Sequence, residues 1–335
     1  MKSFLGHLLL AAASLVFWLV LIEAGLRVAG YRPEPPMNTL FSWSAKGDLW
    51  LLPPNSVSKT IVGGHPVSTN ALGLRDREIG PKVAGSRRIL FLGDSVTFGH
   101  GQPIDVTFVR QLEGIFGRQG EDVQVINAGI FGWSTRQQRR FYEKFAATFG
   151  SDLVLVGFVL NDVPELKMGI ESPAGAGGMA AVNVVTALAQ WTATVGLLKR
   201  AYVEAFAPQL RVIGAVEQLV RNPDAPEVRR AMDLTTNELL ELATLVQNRG
   251  ERFGIVIFPF RFQLEGPDLD APQRRLLAFG AEHHIPILDT LPLLRTLPPD
   301  QTLMDVDHFT PDGHAVVARE IAAWIDREGL LGSAR

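Results

Sequence analysis

The 335-residue chain contains no cysteine, which excludes disulfides, thiolate metal sites and a cysteine nucleophile together. Charge of one sign is also lacking. With 32 Lys and Arg against 35 Asp and Glu, the net charge is −3, and there is no basic footprint for nucleic acid. Phosphate cradles are missing as well: the glycines between positions 93 and 101 form neither G-x-G-x-x-G nor a Walker motif with its lysine. No G-x-S-x-G occurs either, so the nucleophile elbow of the α/β-hydrolases is absent. What the chain does have is apolar mass. Hydrophobic residues make up 47% of it, ample for a large core and far from a disordered composition. Its length suits two domains, or one α/β domain with insertions.

The first stretch stands apart from that core. Residues 4–22 carry no formally charged side chain and are flanked by Lys2 and by Glu23, Arg27 and Arg32. As a helix the run is ~28 Å long, enough to cross the hydrocarbon layer. A cleavable signal peptide is the alternative, but its apolar region is usually about 7–15 residues. The small-residue sites are also badly placed for cleavage, with Ala11–Ala13 inside the run and Val28-Ala29-Gly30 beyond the charges. Residues 1–32 are therefore expected to form an uncleaved membrane anchor. Its sidedness is open on charge alone, since Lys2 competes with Arg27 and Arg32. A second uncharged run, residues 179–198, contains Asn183, Thr186, Gln190, Thr192 and Thr194 and reads as a helix of an inserted cap.

The remainder alternates strand and helix. Short apolar runs at 88–93, 123–126, 153–159, 252–258 and 285–288 read as buried parallel strands. Helical patterns fall at 104–118, 134–150, 226–248 and 271–283, and from Thr310, with Pro311 in the first turn, to Gly329. Ser134 and Gln137 have capping-box spacing. Residues 33–87 are expected to connect anchor and domain, and residues 88–330 to form a doubly wound parallel sheet with a helical insertion at about 165–230. In such sheets the ligand sits outside the carboxyl ends of the strands. Asp94 and Ser95 follow the first strand, Asn127, Gly129 and Gly132 the second, and Asn161 and Asp162 the third. Asp305, Asp307 and His308 precede the last helix. All four clusters fall on one edge.

This set suits acyl transfer. Ser95 opens a helix at the sheet edge, and His308 is the candidate base that makes its hydroxyl nucleophilic. Asp305, three residues before His308, would hold the imidazole in one tautomer. The Ser95 and Gly132 backbone N–H groups and the Asn161 side-chain amide would meet the oxyanion. Each residue also has a plainer reading. Ser95 could cap its helix, Asn161 could bond its own turn, and Asp307 competes with Asp305 for the acid role, being otherwise a solvated loop carboxylate. Asp305, Asp307 and His308 could ligate a metal, but no further ligand motif joins them in the sequence. His314, on the apolar stripe of the last helix, reads as structural. Asp94 reads as a turn residue bonding the backbone, and Arg136, Arg139 and Arg140 as a solvated face or a greeting for an anionic substrate.

The blocks Gly93-Asp94-Ser95, Asn127 to Gly132 (NAGIFG), Leu160-Asn161-Asp162 and Asp305 to His308 (DVDH) resemble those of the SGNH (GDSL-type) hydrolases. The resemblance spans about 88–329 and leaves the insertion unmatched. It implies a flavodoxin-like α/β fold, Ser95 as nucleophile, Gly132 and Asn161 as oxyanion donors, Asp305 and His308 as acid and base, and no cofactor or metal. One departure is Val159, where the family often has glycine. The stretch Asn70 to Arg75 (NALGLR) is similar to that of membrane-anchored members, which implies a catalytic domain outside the cytoplasm. The expected protein is then an anchored, periplasmic or extracytoplasmic serine esterase acting on an acylated small molecule, glycan or lipid. Transfer of an acetyl group to a polysaccharide hydroxyl is the alternative, and a non-catalytic glycan-binding module a second one. If residues 179–198 spanned a bilayer, Ser95 and Asn161 would be separated from His308, so that reading is discarded.

Overall fold

A computed structural model of the chain describes residues 2–31, 49–62, 65–163, 188, 191–198 and 208–332. The chain divides into two compact units, Met1–Met37 with Pro173–Leu210, and Asn38–Ser172 with Arg211–Arg335.

In the first unit, α1 runs over Lys2–Val28, a proline-free and Leu/Ala-rich stretch of good helix formers. Near its end, the Glu23 carboxylate accepts hydrogen bonds from the backbone N–H groups of Ala193 and Thr194, each at 2.9 Å. Arg27 bonds Glu23 at 2.7 Å and donates to the Trp191 carbonyl at 2.9 Å. Among the described residues, no helix is long and apolar enough to cross a membrane. The second apolar run, residues 179–198, lies mostly outside the described residues, as does much of the expected insertion.

The second unit holds a five-stranded parallel sheet. Its strands are β3 (Arg87–Gly93), β4 (Val123–Gly129), β5 (Leu153–Val159), β6 (Arg252–Phe258) and β7 (Ile287–Asp289), in the order β4-β3-β5-β6-β7. A separate antiparallel pair, β1 (Val57–Val62) and β2 (His65–Ser68), precedes it. Central strands of a parallel sheet are covered on both faces, which is why β5 reads LVLVGFV and is buried throughout. The short helix α2 (Ser95–Phe98) follows β3, and α3 (Phe108–Arg118) packs with the last helix, α8 (Pro311–Arg327). On the other side α4 (Thr135–Phe149) packs on α6 (Pro226–Asn248), and α6 on α7 (Ala271–His283). From Arg211 onward the helix α5 (Pro208–Arg221) belongs here, with Val216, Leu219 and Val220 buried in the core.

The doubly wound parallel architecture expected from the strand–helix alternation is the one observed. The expected connector does more than connect. Trp50, Leu52, Val67 and Leu74 are buried in the core, and the Trp133 indole donates to the Trp50 carbonyl at 3.1 Å. The helix expected from residue 104 begins instead with one tight turn at Ile104–Val106, because Pro103 and Thr107 are extended, and α3 starts at Phe108. The capping box at Ser134 forms as expected: Gln137 Oε1 accepts from the Ser134 backbone N–H at 3.0 Å.

Candidate active site

The site begins with how α2 is seated. Asp94 is the N-cap, and its carboxylate accepts the Val96 N–H at 2.9 Å. Asp94 therefore does the capping that the sequence also allowed for Ser95, and the Ser95 hydroxyl is left for other work. Three glycines, Gly93 and Gly129 at strand ends and Gly157 within β5, let this turn lie directly on the sheet. A Cβ at Gly129 would come within 2.7 Å of the Thr97 carbonyl carbon, and one at Gly157 within 2.9 Å of the Phe258 ring; Gly93 is crowded by Thr97 in the same way. From the other side the buried guanidinium of Arg75 donates to the carbonyls of Phe98 (3.0 Å), Gly99 (2.8 Å) and Gln102 (2.6 Å). Burial lowers Arg75 to about 10. Arg75 was not singled out from the sequence; its role depends on three carbonyls from a distant turn, which leave no local pattern.

Across from Ser95 stands the loop before α8. His308 Nε2 lies 2.9 Å from Ser95 Oγ, and His308 Nδ1 lies 2.8 and 3.0 Å from the two oxygens of Asp305. With Nδ1–H donated to Asp305, Nε2 can accept a hydrogen bond from the Ser95 hydroxyl. Asp305 is itself fixed by the backbone N–H groups of Asp307 (3.1 Å) and His308 (2.9 Å). Burial works to raise its pKa, but these bonds and the His308 ring hold it at about 2. For His308, burial opposes the imidazolium, yet the Asp305 hydrogen bond and the Asp307, Asp305 and Asp94 charges outweigh it and push the ring up to about 9.

Asn161 follows β5 in a short turn closed by the Val163 N–H on the Leu160 carbonyl at 3.3 Å, which forms with Val159 in place of glycine. The Asn161 side-chain amide donates to Asp94 Oδ2 at 3.3 Å, which brings it beside the start of α2. Gly132 adopts a positive φ of 70°, a conformation that glycine takes without strain. The preceding Phe131 ring rests on Phe98, centroid to centroid 4.4 Å, and on His100 at 5.0 Å. The structure thus joins Ser95, His308 and Asp305 in one hydrogen-bonded series, ties Asn161 to Asp94, the residue before Ser95, and places Gly132 next to a ring that contacts α2.

Several side chains behave otherwise than expected. Asp307 is not a solvated carboxylate: it is 5% exposed, and its Oδ1 lies 3.2 Å from His308 Nδ1. Burial, with Asp94 and Asp305 nearby, raises it to about 7 despite the opposing pull of His308. Arg136 and Arg139 pair with Glu238 of α6 at 2.9 and 2.5 Å, so they tie two helices together instead of facing solvent or substrate. Asp94 does bond the backbone as expected, but it also faces Asp162, and burial raises both carboxyls, Asp162 well above the ordinary range. His314 is structural as expected, its Nδ1 accepting the Phe108 N–H at 3.1 Å.

His100 is the residue that sequence reasoning missed. It follows Gly99 at the end of α2 and its ring lies 4.3 Å from that of His308, tilted by 36°. Burial and the His308 charge lower it to about 4, so it is neutral at ordinary pH. His100, Asp305 and His308 bring one possible ligand atom each within 4.8 Å of one another. Both His308 nitrogens are already engaged, Nε2 with Ser95 and Nδ1 with Asp305.

The family model of the GDSL-like lipase/acylhydrolase family matches residues 91–316, and the chain belongs to that family. By that membership it is a hydrolase acting on ester bonds. Solved structures with a similar fold include a lipolytic G-D-S-L family protein from Veillonella parvula, at 16% identity and TM-score 0.45, covering 72% of this chain and 100% of that one. The psychrotrophic esterase EstA from Pseudoalteromonas sp. matches at 14% identity and TM-score 0.45, over 72% of this chain and 98% of its own. A lipase/acylhydrolase from Enterococcus faecalis matches at 16% identity and TM-score 0.43, over 72% and 96%. No curated protein matches the chain.

Proposed function

We propose that the protein is a serine esterase that cleaves an O-acyl ester through an acyl-enzyme on Ser95. The observation that carries this reading is the continuous relay from Ser95 Oγ to His308 Nε2 at 2.9 Å and from His308 Nδ1 to Asp305 at 2.8 Å. His308 takes the Ser95 proton as Oγ bonds to the ester carbonyl carbon, and the resulting oxyanion is met by the Ser95 and Gly132 N–H groups and the Asn161 amide. The imidazolium then protonates the departing alcohol. In the second half His308 deprotonates water, which attacks the acyl carbon and releases the acid and free Ser95. The fully buried Asp94 orients Asn161 and the α2 turn from below.

The substrate is proposed to be an acylated glycan, lipid or small molecule, and the protein to be held at a membrane by residues 1–32 with the catalytic unit outside the cytoplasm. The support for the anchor is the uncharged run 4–22 of the sequence. Supplying an activated acetyl ester to the full-length protein, with and without sugar acceptors, tests the chemistry. Free acetate insensitive to acceptor supports the esterase, and acetyl appearing on the sugar makes the protein an acyltransferase with the same residues. Binding of glycan without turnover would leave only the glycan-binding module. Extraction of cell membranes at high pH tests the anchor: a protein that stays with the lipid supports it, and quantitative release refutes it.

A further inference from the structure

The relay uses one carboxyl, but His308 Nδ1 faces two. Asp305 accepts its hydrogen bond, while Asp307 Oδ1 sits 3.2 Å from the same nitrogen. The two differ in setting. The Asp305 side chain is 39% exposed and held by two backbone N–H groups, whereas that of Asp307 is 7% exposed. Among the described residues, the one ion pair Asp307 makes is with His308. The other charged groups around it do not compensate. Asp305 lies on its own loop, and Asp94, from the turn after β3, faces it with a second buried carboxyl, itself adjoined by Asp162 from the end of β5. His100, on the far side of the His308 ring, is neutral at ordinary pH. The nearby guanidiniums are committed elsewhere, Arg75 to three carbonyls and Arg261 to the Leu303 carbonyl and Asp300.

We propose that Asp307 is a positioning residue that sets the proton affinity of His308, and so the pH at which the imidazole becomes available as a base to Ser95. This rests on the Ser95–His308 reading above. An imidazole between two ionised carboxylates in a buried site holds its proton too firmly to accept another from serine. When a proton sits on Asp307 that excess disappears and His308 is released as a base. The proton that must leave the imidazolium is the one on Nε2, which faces Ser95 and passes to solvent, while Nδ1–H stays with Asp305; Asp307 takes up its own proton from solvent. Two such interacting groups titrate as a pair, with macroscopic pKa values that belong to neither alone. The direction of both perturbations agrees with this, since burial raises Asp307 to about 7 and the surrounding carboxylates raise His308 to about 9.

Asp307→Asn keeps the shape and deletes the charge. The expected result is an acid limb of kcat/KM moved to lower pH by about one unit or more, the size expected for a charge at this distance, with the alkaline plateau changed by less than about tenfold. A limb that stays in place, or a loss that is equal at every pH, overturns the proposal. In the native protein, a carbon-13 titration of the His308 ring gives a second reading that does not depend on the variant folding. It is expected to show two inflections, one shared with the Asp307 carboxyl. A single inflection near the ordinary histidine value overturns it. Labelling of Ser95 by an activated phosphonate separates the two failures: an unlabelled Ser95 defeats the esterase reading itself, while a labelled Ser95 with an unmoved limb defeats only the role of Asp307.

Discussion

One methyl group added at Gly129 is expected to disable the site without touching any reacting group. Gly129 ends β4, and a Cβ there would lie 2.7 Å from the Thr97 carbonyl carbon and 2.8 Å from Thr97 Cβ, with the Phe98 amide nitrogen nearer still. Ordinary contacts begin at 3.4 Å, so α2 must move by roughly an ångström or β4 must yield. Backbone lies on both sides of the clash and no flexible side-chain tip can turn away. Overpacking of this kind costs about 1–3 kcal/mol. Its effect on rate is larger, because α2 carries Ser95, and a misplacement of about 1 Å costs on the order of 10²-fold. The assay is kcat/KM for Gly129→Ala on an activated acetyl ester, beside its thermal midpoint. Gly117→Ala is the matched control, since a Cβ there meets nothing within 4 Å. Activity within threefold of native, with an unchanged midpoint, would refute the claim that close seating of α2 aligns the nucleophile.

Asn161→Ala is expected to lower kcat by on the order of 10²–10³ if its amide meets the oxyanion; a loss below tenfold in steady-state assays would reduce Asn161 to a turn residue. Exhaustive chelation should leave turnover unchanged, and inhibition reversed by a divalent ion would give His100, Asp305 and His308 a different role. His314 should make the fold acid-sensitive. Its folded pKa, about 3, lies below the ordinary 6.5, so above pH 6.5 it is neutral in both states and contributes no pH dependence. As pH falls below 6.5 only the unfolded chain takes the proton, and stability declines until about pH 3. By pH 5 the loss is about 2 kcal/mol. Urea midpoints at pH 7 and 5 should therefore diverge less for His314→Gln than for the native protein, and equal slopes would remove His314 as the cause.

Much of the sheet was legible because buried parallel strands are short, apolar and glycine-bounded, and β3, β5 and β6 stand within a residue of their expected bounds. The site loops were legible for the same reason: the doubly wound order dictates which turns share an edge. What stayed hidden depends on contacts far apart in the chain. Asp307 looked like an exposed loop acid, since nothing near it in sequence shows that Asp94 and the His308 ring enclose it. Arg136 and Arg139 looked solvated because their partner, Glu238, comes from a helix about a hundred residues later. His100 gave no sign beyond a lone histidine after a glycine. The segment 33–87 looked like a connector, yet in its described part Trp50 is bonded twice to the loop after β4: its indole donates to the Phe131 carbonyl at 3.1 Å, and its carbonyl accepts from the Trp133 indole.

The central claim is that Ser95 carries the acyl group, and intact-mass analysis of the full-length protein tests it most directly. Native protein mixed with an activated acetyl ester and quenched early should show one acetyl adduct, located to Ser95 by peptide mapping. Ser95→Ala, folded to the same circular dichroism spectrum, should show none. An adduct that persists at equal yield in Ser95→Ala, or turnover by that variant at the native rate, would contradict the account.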